Sequence, residues 1–295
     1  MFEKPNTPKT GKSTGYELTE LSRAYYVFTS NGFDVDIASP KGGRPPVIID
    51  KDDMAEFDYA FLNDTKAQQK VGNSLPLADV SADDSEAIYF IGGKGAMFDF
   101  PDNTYIQKLV KNMYEEGKTV AAICHGPAAL VNVKLSDGNY LLANKQVSSF
   151  TNAEELFLIS EAETVFPFLL EDKLREQGAT MVVGNTYLEQ VSHDDNLITG
   201  QNPWSIWKTA ETVISQLGYQ PIKRKISAAE HTNNVLNNYH KNGFTMAKHQ
   251  LVDLLNEPEE LVDKHLLVVH SIVAAMQWEI GDSINFLRLL HLTRF

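Results

Sequence analysis

The stretch VAAICHGPAAL, residues 120–130, holds the single cysteine of a 295-residue chain, Cys124. Beside it stands His125, the only histidine among the first 192 residues. KTVAAI (118–123) is an apolar run of the kind that forms a strand buried on both faces. Gly126 lets the chain bend tightly, and Pro127 presets a helical φ with no N–H to lose. Strand, Cys-His-Gly-Pro, helix is in chemical terms a nucleophile elbow. A cysteine there faces the free N–H groups and positive dipole end of a helix, which predicts a lowered thiol pKa and a nearby oxyanion site. The alternative is a small, inert core cysteine.

Outward from this stretch, FDVDIAS (33–39), AIYFIGG (87–93), QVSSF (146–150) and ATMVVG (179–184) read as further strands. Helical patterns lie between them: ELTELSRAYYVFTSNG, NTYIQKLVKNMYEEGK, GPAALVNV, AEELFLISEAETVFPFLLEDKLREQG and WSIWKTAETVISQLG. Several end in a glycine, as helix stops do. Alternating strands and helices predict an α/β fold with a doubly wound, mostly parallel sheet. Ligands of such sheets bind beyond the carboxyl ends of the strands, where Cys124 lies.

The net charge is −13, from 26 Lys/Arg and 39 Asp/Glu. Residues 219–295 hold eight of each sign, so the whole excess lies in residues 1–218. That acidity argues against nucleic acid and anionic membranes as partners. No apolar run of membrane-spanning length occurs, and the N-terminal stretch has no apolar leader core, so a cytoplasmic location is expected. One cysteine excludes an intramolecular disulfide and a thiolate zinc cluster. YQPIKRKIS (219–227) reads as a basic linker, and residues 228–295 as a small all-helical appendage whose last helical run starts at Glu257–Pro258. Its His231, His240, His249, His265, His270 and His291 lack metal-ligand spacing, so no metal is expected. LLVVHSIVAAMQWEI (266–280) is strongly apolar and must pack on something, which makes a self-association module one reading of the tail.

AAICHGPAAL resembles the nucleophile motif of the ThiJ/PfpI family, in the class I glutamine amidotransferase-like superfamily. TGYELTELSRAYYVFTSNGFDVDIASPKGG, IGGKGAMFDF, FPFLLEDKLREQGATMVVG and NLITGQNPWS resemble other family segments, in order. The later ones point to the subgroup of heat-shock chaperones and glutathione-independent glyoxalases. The resemblance spans about residues 10–217 and implies a flavodoxin-like domain over 1–218, with a homodimer as the expected assembly. It also implies a buried apolar strand ahead of TGY. MFEKPNTPKT cannot be one, so either the sheet lacks an inner strand or the sequence starts late.

The resemblance further implies a glutamate from the first helix against the nucleophile. Glu20 takes that role, with Glu17 as runner-up. A carboxyl touching a thiolate is expected to be protonated. His125 becomes the proton-moving histidine, oriented by Glu155, with Glu154 as the alternative. The plain reading of both acids is the first turn of a helix capped by Asn152. Gly92 and Gly93 become the close-approach glycines, the N–H of Gly93 pairing with that of His125 over an oxyanion. Lys94 stands where relatives usually carry histidine. The implied activity is cofactor-independent conversion of a small 2-oxoaldehyde such as methylglyoxal to a 2-hydroxy acid. A cysteine amidase or peptidase, and a non-catalytic stress chaperone or redox sensor, are the alternatives.

Overall fold

The computed structural model describes residues 14–294. The chain divides into two compact units, Met1–Ile222 and Lys223–Phe295. The question of a strand ahead of TGY falls on residues 1–13, outside the described residues.

In the first unit the strand order of the central sheet is Ala87–Phe90, Thr119–Ile123, Leu197–Gly200 and Val191–Asp194. The first three are parallel and the last closes an antiparallel hairpin. Every residue of Thr119–Ile123 is buried. Its side chains alternate between two cores, as a strand's must. Val120 and Ala122 join the core that includes Ile106, Leu109, Val110 and Met113 of the helix Thr104–Glu115. Ala121 packs with Ile198 and with Val213 of the helix Ile206–Gln216. Helices thus cover both faces, and the fold is a flavodoxin-like α/β arrangement. Three short parallel pairs surround the sheet: Tyr16–Glu17 with Val47–Ile48, Ala38–Ser39 with Leu75–Pro76, and Gln146–Val147 with Thr180–Met181.

Several expected elements are shorter than the patterns suggest. Of residues 33–39 only Ala38–Ser39 is a strand. Upstream, the Val35 carbonyl is taken by Lys70 Nζ at 2.7 Å, which also binds Asp34, so a side chain stands where a ladder would run. The long helical run expected over 153–178 is three helices, Asn152–Leu158, Ala162–Val165 and Leu170–Glu176. Pro167 disfavours helical backbone at Phe166 and removes an N–H, which accounts for the last break. The first helix of that set is capped by Thr151, not Asn152, through a reciprocal box with Glu154. The hairpin 191–200 was not legible as strands; it turns at Asp195, which takes φ +55°.

The second unit is four helices, Ala228–Asn242, Phe244–Leu255, Lys264–Met276 and Ile280–Leu292. Ser227 and Glu230 box the first. Pro258 starts no helix: the third begins at Lys264, where Asp263 accepts the Leu266 N–H. The single run expected to the end breaks at Trp278, whose φ of +64° ends the third helix. Among the described residues no group of three or more His, Cys, Asp or Glu is placed to hold a metal ion. Burial instead pushes the His270 imidazole down to about 4, with His240 adding to it. No helix of the described residues is long and apolar enough to cross a membrane.

Candidate active site

Cys124 directly follows the strand Thr119–Ile123 and takes φ +59°, a conformation strained for a residue with a side chain. The surroundings hold it there. The Cys124 N–H donates to Gly200 O at 3.0 Å, and its carbonyl accepts from Phe150 N–H at 2.9 Å. Gly126 sits against the Phe90 carbonyl, where no side chain fits.

The segment after the elbow departs from the expected helix. Gly126–Leu130 is one short 3₁₀ turn rather than an α-helix. Its dipole is correspondingly small. The thiol is 4 % exposed and lies beside the Glu20 carboxyl. Burial first, and the negative charge of Glu20 second, push its pKa well above the ordinary value. The lowered pKa expected from a helix N-terminus is therefore reversed.

Glu20, in the helix Leu18–Ser30, is 0 % exposed. Its Oε2 accepts the Gly92 N–H at 2.5 Å. Burial raises its pKa to about 7, against the opposing pull of the Gly92 hydrogen bond and of the neighbouring Cys124. Two acids in contact and out of water do not both ionise near neutral pH. Above about 7 the pair therefore keeps one proton, shared between carboxyl and sulfur.

Glu17, the runner-up, lies in the short strand before that helix, and its N–H donates to Gly92 O at 3.3 Å. Burial, then Glu20, Asp53 and Asp50, raise it to about 8, while Lys94 pulls it down. Gly92 thus holds both segments and spends its N–H on Glu20. A Cβ there would sit 2.7 Å from Glu20 Oε2 and 2.8 Å from Cys124 Cβ. Gly93 takes φ +98°. Lys94 is half-buried.

On the other side of sulfur, His125 Nδ1 lies 3.3 Å from Cys124 Sγ. Its Nε2 lies 2.5 Å from Glu155 Oε2. A carboxylate there keeps the proton on Nε2 and leaves Nδ1 as the acceptor facing the sulfur. The ring lies against Phe150, centroids 4.6 Å apart, which fixes its plane. Glu154 is spent elsewhere. It accepts from Thr151 and from Tyr187 N, Gln201 Nε2 and Asn202 Nδ2, the last three at 2.8–3.0 Å. The geometry gives His125 to Glu155, with Glu154 bonded elsewhere.

The sequence reading missed Phe150, Tyr187, Gln201 and Asn202. QVSSF and NLITGQNPWS were the signals, since each places polar or aromatic residues just past a strand end. Tyr89 was missed too; its hydroxyl is buried, and burial and Glu20 raise its pKa far up.

Comparison with known proteins identifies the family. The glutathione-independent glyoxalase hsp3102 of Schizosaccharomyces pombe is 30% identical over 217 residues, covering 70% of this chain and 90% of that protein. The crystal structure of glyoxalase III from Candida albicans is 25% identical with a TM-score of 0.65, over 73% of this chain and 93% of that one. A two-domain protein from Anabaena variabilis, with DJ-1/ThiJ/PfpI-like and ferritin-like domains, matches 93% of this chain and 70% of its own length. Its TM-score is 0.51 at 18% identity, a likeness of fold. The model of the DJ-1/PfpI family matches residues 12–216, the stretch that carries the elbow, Glu20 and both partners of His125. The chain belongs to the DJ-1/PfpI family.

Proposed function

We propose that this chain is a glutathione-independent glyoxalase that converts a small 2-oxoaldehyde, methylglyoxal in the simplest case, to a 2-hydroxy acid. The observation that carries the reading is the line Glu20–Cys124–His125–Glu155, with one proton acceptor on each side of the sulfur. Relatives of about 30% identity that carry the name glutathione-independent glyoxalase support it.

The chemistry needs no net oxidant. Sulfur adds to the aldehyde carbon while the thiol proton passes to the Glu20 carboxylate and from it to the aldehyde oxygen, giving a hemithioacetal. A proton then leaves that carbon and one reaches the neighbouring carbonyl carbon, while the hydroxyl proton of the first carbon passes to the oxygen of the second, through an enediol-like state, giving a thioester of the 2-hydroxy acid. Glu20 and the Nδ1 of His125 are the groups placed to carry these protons. The N–H groups of Gly93 and His125 are assigned to the developing oxyanion. Water then cleaves the thioester and restores the thiol. An amidase reading uses the same sulfur but gives no task to a buried carboxyl that shares the thiol's proton.

The test is lactate formation from methylglyoxal in the absence of glutathione. Wild type is expected to turn over and Cys124→Ala to be silent. A silent wild type that still suppresses aggregation of a client protein would overturn the enzyme reading in favour of a chaperone.

A further inference from the structure

Each turnover of the proposed reaction leaves a proton behind. A 2-oxoaldehyde and water become a 2-hydroxy acid, whose carboxyl ionises at about pH 4. Glu20 holds a proton up to about pH 7. The product therefore departs as its anion, and Glu20 keeps the proton. The next cycle needs Glu20 as a carboxylate again, to take the proton of the thiol. Glu20 is wholly buried, so it cannot hand that proton directly to bulk water.

Glu17 is the carboxyl placed to receive it. One glycine joins the two acids: the Gly92 N–H donates to Glu20 Oε2, and Gly92 O accepts the Glu17 N–H. Glu17 and Glu20 also stand at the N-cap and the third position of the helix Leu18–Ser30, which are neighbours across its first turn. Yet the Glu17 side chain caps no N–H of that helix. Oε1 of Glu17 and Oε1 of Glu20 are both buried and, among the described residues, without a hydrogen-bond partner. Buried polar atoms are nearly always paired, so two such oxygens on adjacent carboxyls point to a task beyond structure. Asp53 and Asp50 lie within electrostatic reach of Glu17, as does Lys94 with the opposite sign. Arg23 Nη2 donates to Asp53 O at 2.7 Å and ties that turn to the helix. Glu20 is buried, Glu17 half-buried and Asp50 exposed, so the three acids lead outward.

We propose that Glu17 relays the proton left on Glu20 to solvent at the end of each turnover. The carboxyl takes a proton at Oε1 and gives one up at its other oxygen, to water or to the Asp50–Asp53 turn. One O–H bond forms as another breaks, and nothing is oxidised or reduced. Glu17 acts through Glu20 and is not assigned to the substrate. The relay rests on the glyoxalase reading and adds the step that resets the site.

Lactate formation from methylglyoxal by Glu17→Gln, in steady state and in the first turnover, tests the proposal. Burial and the nearby acids keep Glu17 neutral near pH 7, so glutamine copies its charge and shape but carries no proton to pass on. Proton exit follows cleavage of the thioester, so the loss falls on kcat alone. We expect kcat to drop on the order of 10-fold and KM with it, leaving kcat/KM within about twofold. The first turnover should stay fast and show as a burst of one lactate per site. Glu17→Ala opens space beside Glu20, and its kcat should climb with added imidazole as a diffusible base, to which wild type is indifferent. Unchanged kcat in Glu17→Gln overturns the relay and leaves the glyoxalase reading intact. So does a kcat/KM that falls as far as kcat, or a Glu17→Ala that gains nothing from imidazole. A wild type that forms no lactate overturns both.

Discussion

Glu20 and Cys124 lie side by side where water does not reach: burial raises the pKa of both, and the charge of Glu20 raises that of the thiol further. Glu20 is itself anchored by the Gly92 N–H. This makes the carboxyl and the thiol one titrating unit rather than an activated thiolate with a bystander.

The pH dependence of catalysis comes from that pairing. The Glu20 carboxylate takes the thiol proton, so its protonation below about 7 removes the acceptor. We expect kcat/KM for methylglyoxal to rise with pH through about 7 and to hold until the remaining proton is lost far above it. A pH–rate profile without a rise near 7 would count against Glu20 as the acceptor.

The same shift predicts a stability change of opposite sense. The folded pKa of Glu20 is raised from 4.5 to about 7. The group therefore stabilises the fold below 4.5, and that stability is lost as pH climbs to 7. The difference is roughly 3 kcal/mol for a shift of this size. Glu20→Gln should raise Tm by several degrees at about pH 8.5 and have little effect near pH 4.5. Equal effects at both pH values would mean that the carboxyl is not held protonated by the fold.

Glu155 and Glu154 are predicted to fail differently. Glu155→Gln loses the carboxylate that orients His125, and activity should fall on the order of 100-fold with Tm nearly unchanged. Glu154→Ala strips partners from Thr151, Tyr187, Gln201 and Asn202, and should destabilise by roughly 3 kcal/mol. Thermal melts alongside turnover separate the two. Similar losses of stability would put Glu155 among the merely structural acids.

Gly92→Ala brings a methyl group to within 2.7 Å of Glu20 Oε2 and 2.8 Å of Cys124 Cβ. It should push the pair apart and abolish most turnover while the protein stays folded. Near-normal turnover would show that the contact is not needed.

The parts of the site legible in the sequence are those encoded locally. The apolar run 118–123 and the Gly126–Pro127 break fix the elbow, because burial on both faces and a forced turn are local properties. The resemblance supplied Glu20 and Glu155, which the structure brings beside Cys124 and His125 respectively. The direction of the thiol pKa was not legible. It depends on Glu20 arriving from another element and on the next segment being a short 3₁₀ turn. The strand expected at 33–39 failed for a related reason: alternation gives a strand its faces, but only a neighbour gives it a ladder. The reason Glu154 is not free for that role was not legible, because Tyr187, Gln201 and Asn202, which claim it, are distant in sequence.

The sharing of one proton between Glu20 and Cys124 is tested at its root by the pH dependence of Cys124 alkylation with iodoacetamide, in wild type and in Glu20→Gln. Cys124 is the only thiol, so the rate reports it alone. The wild-type thiol is expected to ionise above the range of free cysteine, and to move clearly downward once the neighbouring charge is removed. A wild-type thiol that ionises at or below the free value, or one indifferent to Glu20→Gln, would contradict that sharing.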